Sequence, residues 1–146
     1  MKKTALIALI LLVVLTGCTN KNSDLSCTYT DSHDVTYKTN YTFKDGVVAT
    51  IEQIIKTPTS MVQNPEPFKI DYEDLLQTIE GCEGYYKEEN GYYVSNYKCD
   101  LNIITDENAI KITGQNKDSL KQTRKEIIDF HNAEEPGENG EKTFCK

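Results

Sequence analysis

The stretch that decides the fold is CEGYYKEENGYYVSNYKC, residues 82–99, which has Asn-Gly near its centre and a cysteine at each end. Asn-Gly is the strongest short signal for a two-residue hairpin turn, because a type I′ turn needs positive φ at both central residues. With Asn90 and Gly91 as the turn, strand pairing places Cys82 opposite Cys99 in the non-hydrogen-bonded class. Such partners have α-carbons about 4.5 Å apart, which is within reach of a disulfide. The register therefore predicts the bridge Cys82–Cys99.

The remaining cysteines predict a second disulfide. Four cysteines follow Cys18, and an even number is typical of a disulfide-bonded domain outside the cytosol. Once Cys82 and Cys99 are paired, elimination leaves Cys27–Cys145, which would join the first strand to the chain end. A zinc site is the alternative, but no two cysteines have CxxC spacing and none lies near a histidine in the sequence.

The first residues have the pattern of an export signal. Two lysines precede the apolar run ALIALILLVVL, residues 5–15. Eleven residues are too few for a membrane span, which needs about 20. A positive start, a short apolar core and small residues after it indicate a secretory signal at residues 1–17. The alternative, a buried core helix, fits less well because no polar residue interrupts the run.

The segment Leu15-Thr16-Gly17-Cys18 resembles the lipobox of bacterial lipoproteins. The resemblance implies that a diacylglyceryl group is joined to the Cys18 sulfur and that cleavage follows Gly17. Two acyl chains give stable anchoring, whereas one would be marginal. Residues 18–25 would then be the lipidated cysteine and a flexible tether. We expect a protein anchored in the cell membrane through Cys18, with membrane lipid as its partner and its domain facing the extracytoplasmic side.

Charge argues against a nucleic-acid partner. The chain of 146 residues has a formal net charge of −7, and removing residues 1–17 with their two lysines makes it −9. Phosphate backbones bind lysine- and arginine-rich patches, whereas this chain has a single arginine, Arg124. The 129 residues left after cleavage fit one domain with its own hydrophobic core.

A second hairpin is predicted on either side of Asp45-Gly46. The stretch 35–56 alternates between apolar and polar residues, as half-buried strands do. A two-residue loop would place Phe43 opposite Val48, and a three-residue loop would place it opposite Val47. The sequence favours the three-residue loop, because that register brings the apolar residues of both strands to one face.

Two segments have helical spacing. The first begins after Asp71, a typical N-cap residue, and ends at Gly81. The second spans Lys117 to about Asn132 and is capped by Asn116, while residues 109–113 predict a short strand between the two helices. Apolar residues line one side of each helix: Tyr72, Leu75, Leu76 and Ile79 in the first, and Leu120, Ile127 and Ile128 in the second.

These elements predict an α+β domain over residues 26–133. Its antiparallel sheet would be built from hairpins, with the two amphipathic helices packed on one face. Residues 134–146 are acidic and glycine-rich, and they predict a mobile tail that ends in the disulfide cysteine Cys145.

Catalytic signals are weak. Asp31–Asp34 (DSHD) offers carboxylates and an imidazole for a metal, but the same residues are typical of a hairpin turn, where Asp and Ser bond their own backbone. His131 lies at a helix end and is expected to contact the terminal carbonyl groups. Glu88-Glu89 lies beside a hairpin tip, where solvated charges are ordinary. We therefore expect no enzyme activity, no cofactor and no metal.

Tyrosines crowd the central hairpin. Strand alternation sends Tyr93 and Tyr97 to one face and Tyr92 to the other, so one face should show exposed rings. Such rings suit contacts with carbohydrate or protein, and Tyr85 and Tyr92 are the predicted interaction face. The alternative is that tyrosine simply favours strands and cross-strand pairs.

The overall plan resembles small uncharacterised lipoproteins of the YehR type. The resemblance rests on chain size, the Cys18 anchor and the pattern YTFKDGVV followed by a Tyr-led helix. We interpret the protein as a non-catalytic binding module of the cell envelope with an envelope protein or the cell wall as partner. The alternatives are a small envelope hydrolase that uses carboxylates, and an inhibitor or immunity-type lipoprotein.

Overall fold

The computed structural model describes residues 24–137 and 140–146 of the chain. The predicted signal peptide, Cys18 and the tether as far as residue 23 lie outside the described residues. Within the described part, none of the helices has both the length and the apolar character needed to cross a membrane.

Six antiparallel strands form one sheet in the order β4-β5-β3-β2-β1-β6, so that β4 and β6 are its edges. The Asn90-Gly91 turn joins β4 to β5, and both of its residues have positive φ, as a type I′ turn requires. The α+β class and the antiparallel sheet predicted from the sequence are confirmed. The strands are β1 (Leu25–Thr30), β2 (Thr36–Lys44), β3 (Val47–Pro58), β4 (Cys82–Glu89), β5 (Tyr92–Asp100) and β6 (Phe144–Cys145).

Four helices bury their apolar sides against one face of this sheet. They are α1 (Glu66–Gln77), α2 (Asp106–Thr113), α3 (Lys117–Leu120) and α4 (Arg124–Ala133), and a short 3-10 helix spans Thr59–Met61. The core combines strand residues from alternate positions with at least one buried residue from each α-helix. Its members include Leu25, Phe43, Val48, Ile51, Tyr97, Cys99, Leu101, Leu76, Ala109, Leu120 and Ile127.

The predicted start of α1 is wrong by six residues, which is nearly two turns. The helix begins after Pro65 and not after Asp71. Pro65 and Pro67 stand at its first positions, where a missing N–H costs nothing because those groups have no partner inside the helix. Residues 59–65 connect β3 to α1, and the short 3-10 helix Thr59–Met61 forms the first part of this connection.

The predicted strand at residues 109–113 is a helix, α2. Thr105 caps its start by accepting from the backbone N–H of Asn108 at 3.2 Å, and Gly114 ends it in the left-handed conformation. The alternation of Ile110 and Ile112 favours a strand, but the capping residues at both ends and the burial of Ala109 stabilise a helix instead.

The predicted final helix is two helices, α3 and α4. Residues 121–123 interrupt it because they run beside β3, where the backbone N–H of Val48 donates to the carbonyl of Gln122 at 2.9 Å. Thr123 then caps α4, accepting from the N–H of Glu126 while its own N–H donates to the Glu126 carboxylate at 2.7 Å.

The preferred register of the β2–β3 hairpin is also wrong. Phe43 pairs with Val48, as a two-residue loop requires, and the register then shifts between Thr42 and Phe43 so that Tyr41 pairs with Ile51. This irregularity leaves Ala49 as an extra residue, as in a β-bulge. The bulge brings the apolar residues to one face, which a continuous two-residue-loop register cannot do.

Both predicted disulfides are present. Cys82 pairs with Cys99 across β4 and β5 and is bonded to it, with α-carbons 4.1 Å apart. Cys27 of β1 is bonded to Cys145 of β6, with α-carbons 4.0 Å apart. The second bridge closes a sequence separation of 118 residues and fixes the end of the chain to the first strand.

The Thr123 cap gives a first test of these assignments. Thr123→Ala should lower the free energy of unfolding by about 1 kcal/mol, because the N-terminal N–H groups of α4 lose their acceptor. Urea unfolding monitored by circular dichroism measures the change. Ser60→Ala is the control, since that hydroxyl is exposed and caps no helix, and an equal loss in both variants would contradict the capping role.

The same cap predicts acid sensitivity. The backbone N–H of Thr123 donates to the Glu126 carboxylate and lowers the pKa of that group from its ordinary value of 4.5. Stability from this contact is therefore fully present above about pH 4.5 and is lost as pH falls through the lower folded-state pKa. Glu126→Gln should reduce the difference between urea midpoints measured at about pH 6 and about pH 3. An unchanged difference would contradict the assignment.

Candidate functional site

The helices cover one face of the sheet, and the alternate strand residues form the other, which we call the open face. It carries mostly polar, charged and tyrosine side chains from four neighbouring strands, together with two apolar ones. These residues are Thr36, Lys38 and Asn40 of β2, Glu52, Ile54 and Lys56 of β3, Tyr85, Lys87 and Glu89 of β4, and Tyr92, Val94 and Asn96 of β5.

The tyrosines divide between the two faces as strand alternation predicts. Tyr85 and Tyr92 lie on the open face and keep 40% and 36% of their surface exposed. Tyr86 and Tyr97 are buried on the helix side, and Tyr86 stacks on Tyr93 with ring centroids 5.7 Å apart. The structure therefore separates tyrosines that fill the core from those that offer a ring to solvent.

A hollow of about 490 Å3 lies on the open face beside Tyr92. This volume falls in the range of about 300–1,000 Å3 that is usual for ligand pockets. Other hollows among the described residues have about 440, 380, 350 and 180 Å3, so volume alone does not single out the first. The hollow of 490 Å3 combines an exposed tyrosine ring with two lysines, and it is lined by Thr36, Lys38, Ile54, Lys56, Glu89, Asn90, Tyr92 and Val94.

Charge in this hollow differs in sign from the chain as a whole. Lys38 and Lys56 line it, and its one carboxylate, Glu89, is paired with Lys87 at 2.9 Å. The hydrogen bond from Lys87 lowers the pKa of Glu89 and raises that of Lys87 itself. The Lys87 ammonium also lies 5.0 Å from the ring centroid of Tyr85. The hollow is thus a positive region on a chain of net charge −7.

A row of amide and carboxylate groups crosses the open face next to the hollow. Asn40 and Asn96 each donate an amide N–H to Glu52, at 2.8 and 3.0 Å, so both carboxylate oxygens are occupied. Asn96 is buried although it lies on this face. The row stiffens β2, β3 and β5 beneath the hollow and leaves Glu52 as a structural group. The sequence interpretation missed it because the wrong β2–β3 register separates Asn40 from Glu52.

The adjacent carboxylates at the hairpin tip, Glu88 and Glu89, do not face each other. Glu88 pairs with Tyr93 and Glu89 with Tyr92, so the two adjacent side chains point to opposite faces of β4. The pKa of Glu89 is lowered, whereas a general acid needs a raised one. The DSHD segment forms the β1–β2 turn, in which one Asp31 oxygen accepts from the backbone N–H groups of His33 and Val35, each at 2.9 Å.

His131 has a different partner from the one predicted. Its Nδ1 lies 2.9 Å from a carboxylate oxygen of Glu134, which also accepts from the Thr143 hydroxyl at 3.0 Å. One ring nitrogen of His131 and the two sulfurs of Cys27 and Cys145 all lie within 4.8 Å of one another. The terminal segment predicted to be a mobile tail contributes Glu134 and Thr143 to this cluster.

Comparison with known proteins supports the fold and names no activity. No family model matches the chain, and no curated protein matches its sequence. The fold is similar to a solved structure described as the NMR structure of the protein from Streptococcus pneumoniae TIGR4, with a TM-score of 0.54. The match covers 85% of this chain and 87% of that one at 14% identity, so the likeness concerns the fold alone.

Proposed function

We propose that this chain is a lipid-anchored protein on the outer side of a bacterial cell membrane. We further propose that its open face binds an anionic polysaccharide of the cell envelope without catalysis. The observation that carries the binding proposal is the hollow in which the exposed Tyr92 ring lies with Lys38 and Lys56. The anchor rests on the lipobox-like segment that ends at Cys18.

The anchor would hold the domain close to the bilayer. β1 begins at Leu25, seven residues after Cys18. Even a fully extended tether of that length spans only about 25 Å. A domain restricted in this way would meet membrane-proximal parts of the envelope rather than distant ones, which suits a binding role in that layer.

The chemistry of the hollow favours an anionic sugar polymer. A tyrosine ring offers a flat apolar face with a polar edge, which suits the faces of sugar rings. Two lysines attract carboxylates or phosphates, and Thr36 and Asn90 supply hydroxyl and amide groups for hydrogen bonds. A nucleic acid would demand a larger basic surface than this acidic chain offers.

The anchor is tested by labelling cells with a radioactive fatty acid. The wild-type chain should take up label and fractionate with membranes, whereas Cys18→Ala should carry no label and should remain uncleaved or be released. Thr19→Ala is the matched control and should behave like the wild type. Label on the Cys18→Ala variant would contradict lipidation at this residue.

Binding is tested by equilibrium measurements on the full lipidated chain in detergent, with polygalacturonate as the anionic probe and dextran as the neutral one. Lys38→Ala/Lys56→Ala should weaken polygalacturonate binding about tenfold at low salt, because both cations in the hollow are lost. Tyr92→Ala should weaken binding by a similar factor that changes little with salt. Lys125→Ala, a change on α4 and so away from the open face, is the control.

Three results would overturn the assigned ligand. They are equal binding of dextran and polygalacturonate, equal binding by the hollow variants and the wild type, and a cross-linked envelope protein as the sole occupant of the open face. The last result would still identify the open face as a binding surface, but its partner would be a protein and not a polysaccharide.

A further inference from the structure

The Cys27–Cys145 bridge lies at the margin of the sheet beside an imidazole. Cys145 belongs to the edge strand β6 and is partly exposed, whereas Cys27 on β1 is buried. One ring nitrogen of His131, on α4, shares a 4.8 Å cluster with both sulfurs. A bridge in this position has one sulfur that an outside thiol can reach and a proton-carrying group within a short distance.

The His131 ring is held in place from its other side. Its Nδ1 lies 2.9 Å from Glu134, and Thr143 donates to the same carboxylate oxygen. Contact through Nδ1 leaves Nε2 as the nitrogen available to a second partner. The arrangement of an acid, an imidazole and a sulfur is the one by which an oriented base assists chemistry at sulfur.

The other disulfide provides an internal comparison. Cys99 is fully buried, whereas its partner Cys82 is partly exposed at the start of the edge strand β4, in the hairpin that α1 packs against. The chain has one other histidine, His33, which lies in the β1–β2 turn. Each bridge of the molecule therefore joins a buried sulfur to a partly exposed one on an edge strand, and the two bridges differ in neighbouring chemistry, since His131 lies beside the first.

We propose that Cys27–Cys145 is a thiol–disulfide exchange site whose partner is a protein or small molecule with two thiols. The first partner thiolate attacks the Cys145 sulfur, the bond to Cys27 breaks, and the Cys27 sulfur leaves with the electron pair. His131, which has accepted the proton of the first partner thiol, gives that proton to the Cys27 sulfur. The second partner thiol then attacks the partner's own sulfur in the mixed disulfide, the bond to Cys145 breaks, and the proton of the attacking thiol passes to the Cys145 sulfur. The partner dithiol is oxidised to a disulfide as this bridge is reduced.

The surface around the bridge suits the approach of such a partner. Phe130, next to His131, and Phe144, next to Cys145, keep 61% and 67% of their surface exposed. The Phe130 and His131 rings lie 5.3 Å apart, so one phenyl ring borders the imidazole directly. Exposed apolar residues beside a reactive group are typical of sites that bind a partner protein.

The test is the rate at which each bridge opens in the full lipidated chain in detergent. Dithiothreitol is added, samples are alkylated at intervals, and mass mapping follows the two cysteine pairs separately. Cys27–Cys145 should open at least about tenfold faster than Cys82–Cys99. In His131→Gln it should open about fivefold slower than in the wild type, because the rate depends on how readily the departing sulfur leaves.

The direction of the rate change in His131→Gln distinguishes proton transfer by His131 from a purely structural role of that side chain. A purely structural role would make the bridge open faster when His131 is lost, since access to the sulfurs would increase. His33→Ala is the matched control and should leave both rates unchanged, and the Cys82–Cys99 rate should be the same in every variant. Faster or unchanged opening of Cys27–Cys145 in His131→Gln would overturn the proposal, as would faster opening of Cys82–Cys99. None of these rates depends on the open face.

Discussion

The double variant Cys27→Ala/Cys145→Ala should unfold with a free energy about 5 kcal/mol lower than the wild type. A disulfide restricts the unfolded chain, and the loss in entropy grows with the logarithm of the closed loop. The separation of 118 residues corresponds to about 5 kcal/mol in this treatment. Urea unfolding at equilibrium, with the slope of the transition compared between variants, measures both the stability and the change in the unfolded state.

Cys82→Ala/Cys99→Ala is the matched comparison. Its loop of 17 residues corresponds to about 3 kcal/mol, so this variant should be the more stable of the two. The reverse order would show that strand packing around Cys99 outweighs loop entropy. Small domains have a total stability of only about 5–15 kcal/mol, so opening the Cys27–Cys145 bridge would remove a large part of it. Exchange at that bridge would then act on the whole domain.

Gly84→Ala should lower the free energy of unfolding by about 3 kcal/mol or more. A Cβ atom at this position would lie 2.1 Å from the carbonyl oxygen of Asn96 and 2.7 Å from a methyl group of Leu76. The first atom is backbone of β5 and cannot turn away, so β4 and β5 must move apart, and the Leu76 side chain of α1 must also shift. Thermal unfolding followed by circular dichroism would record the loss as a lower melting temperature.

Gly91→Ala separates this clash from the general effect of adding a methyl group. A Cβ at Gly91 would meet nothing within 4 Å, and the substitution strains only the positive φ of 82°. That strain costs about 1–2 kcal/mol. A larger loss in Gly91→Ala than in Gly84→Ala would contradict the close approach of α1 to β4 and β5.

Local signals in the sequence were sufficient for the central hairpin and the bridges. Asn90-Gly91 permits one turn type, and that turn sets the register through to Cys82 and Cys99. The β2–β3 hairpin was not predictable in the same way, because its register changes at a bulge beside Ala49 that no residue type marks. Residues 109–113 alternate like a strand, and only the caps at Thr105 and Gly114 indicate the helix.

The candidate site was predictable only in part. Alternation along one hairpin was enough to send Tyr85 and Tyr92 to one face. The hollow beside Tyr92 also needs Lys38 and Lys56 from two other strands, so its existence depends on the register that the bulge alters. The contact of His131 with the Cys27–Cys145 bridge requires α4 to cross to the far margin of the sheet, and residue spacing carries no information about that crossing.

Because β4 is an edge strand, its composition affects how neighbouring copies of this protein associate at high local concentration. An unpaired strand invites the same strand of a neighbouring molecule to add to its sheet, which is a common route to fibres. Four of the eight residues of β4 are charged: Glu83, Lys87, Glu88 and Glu89. Pairing between the β4 edges of two copies would bring glutamates of both copies close together, because three of these four charges are negative, so densely packed copies should resist edge-to-edge pairing.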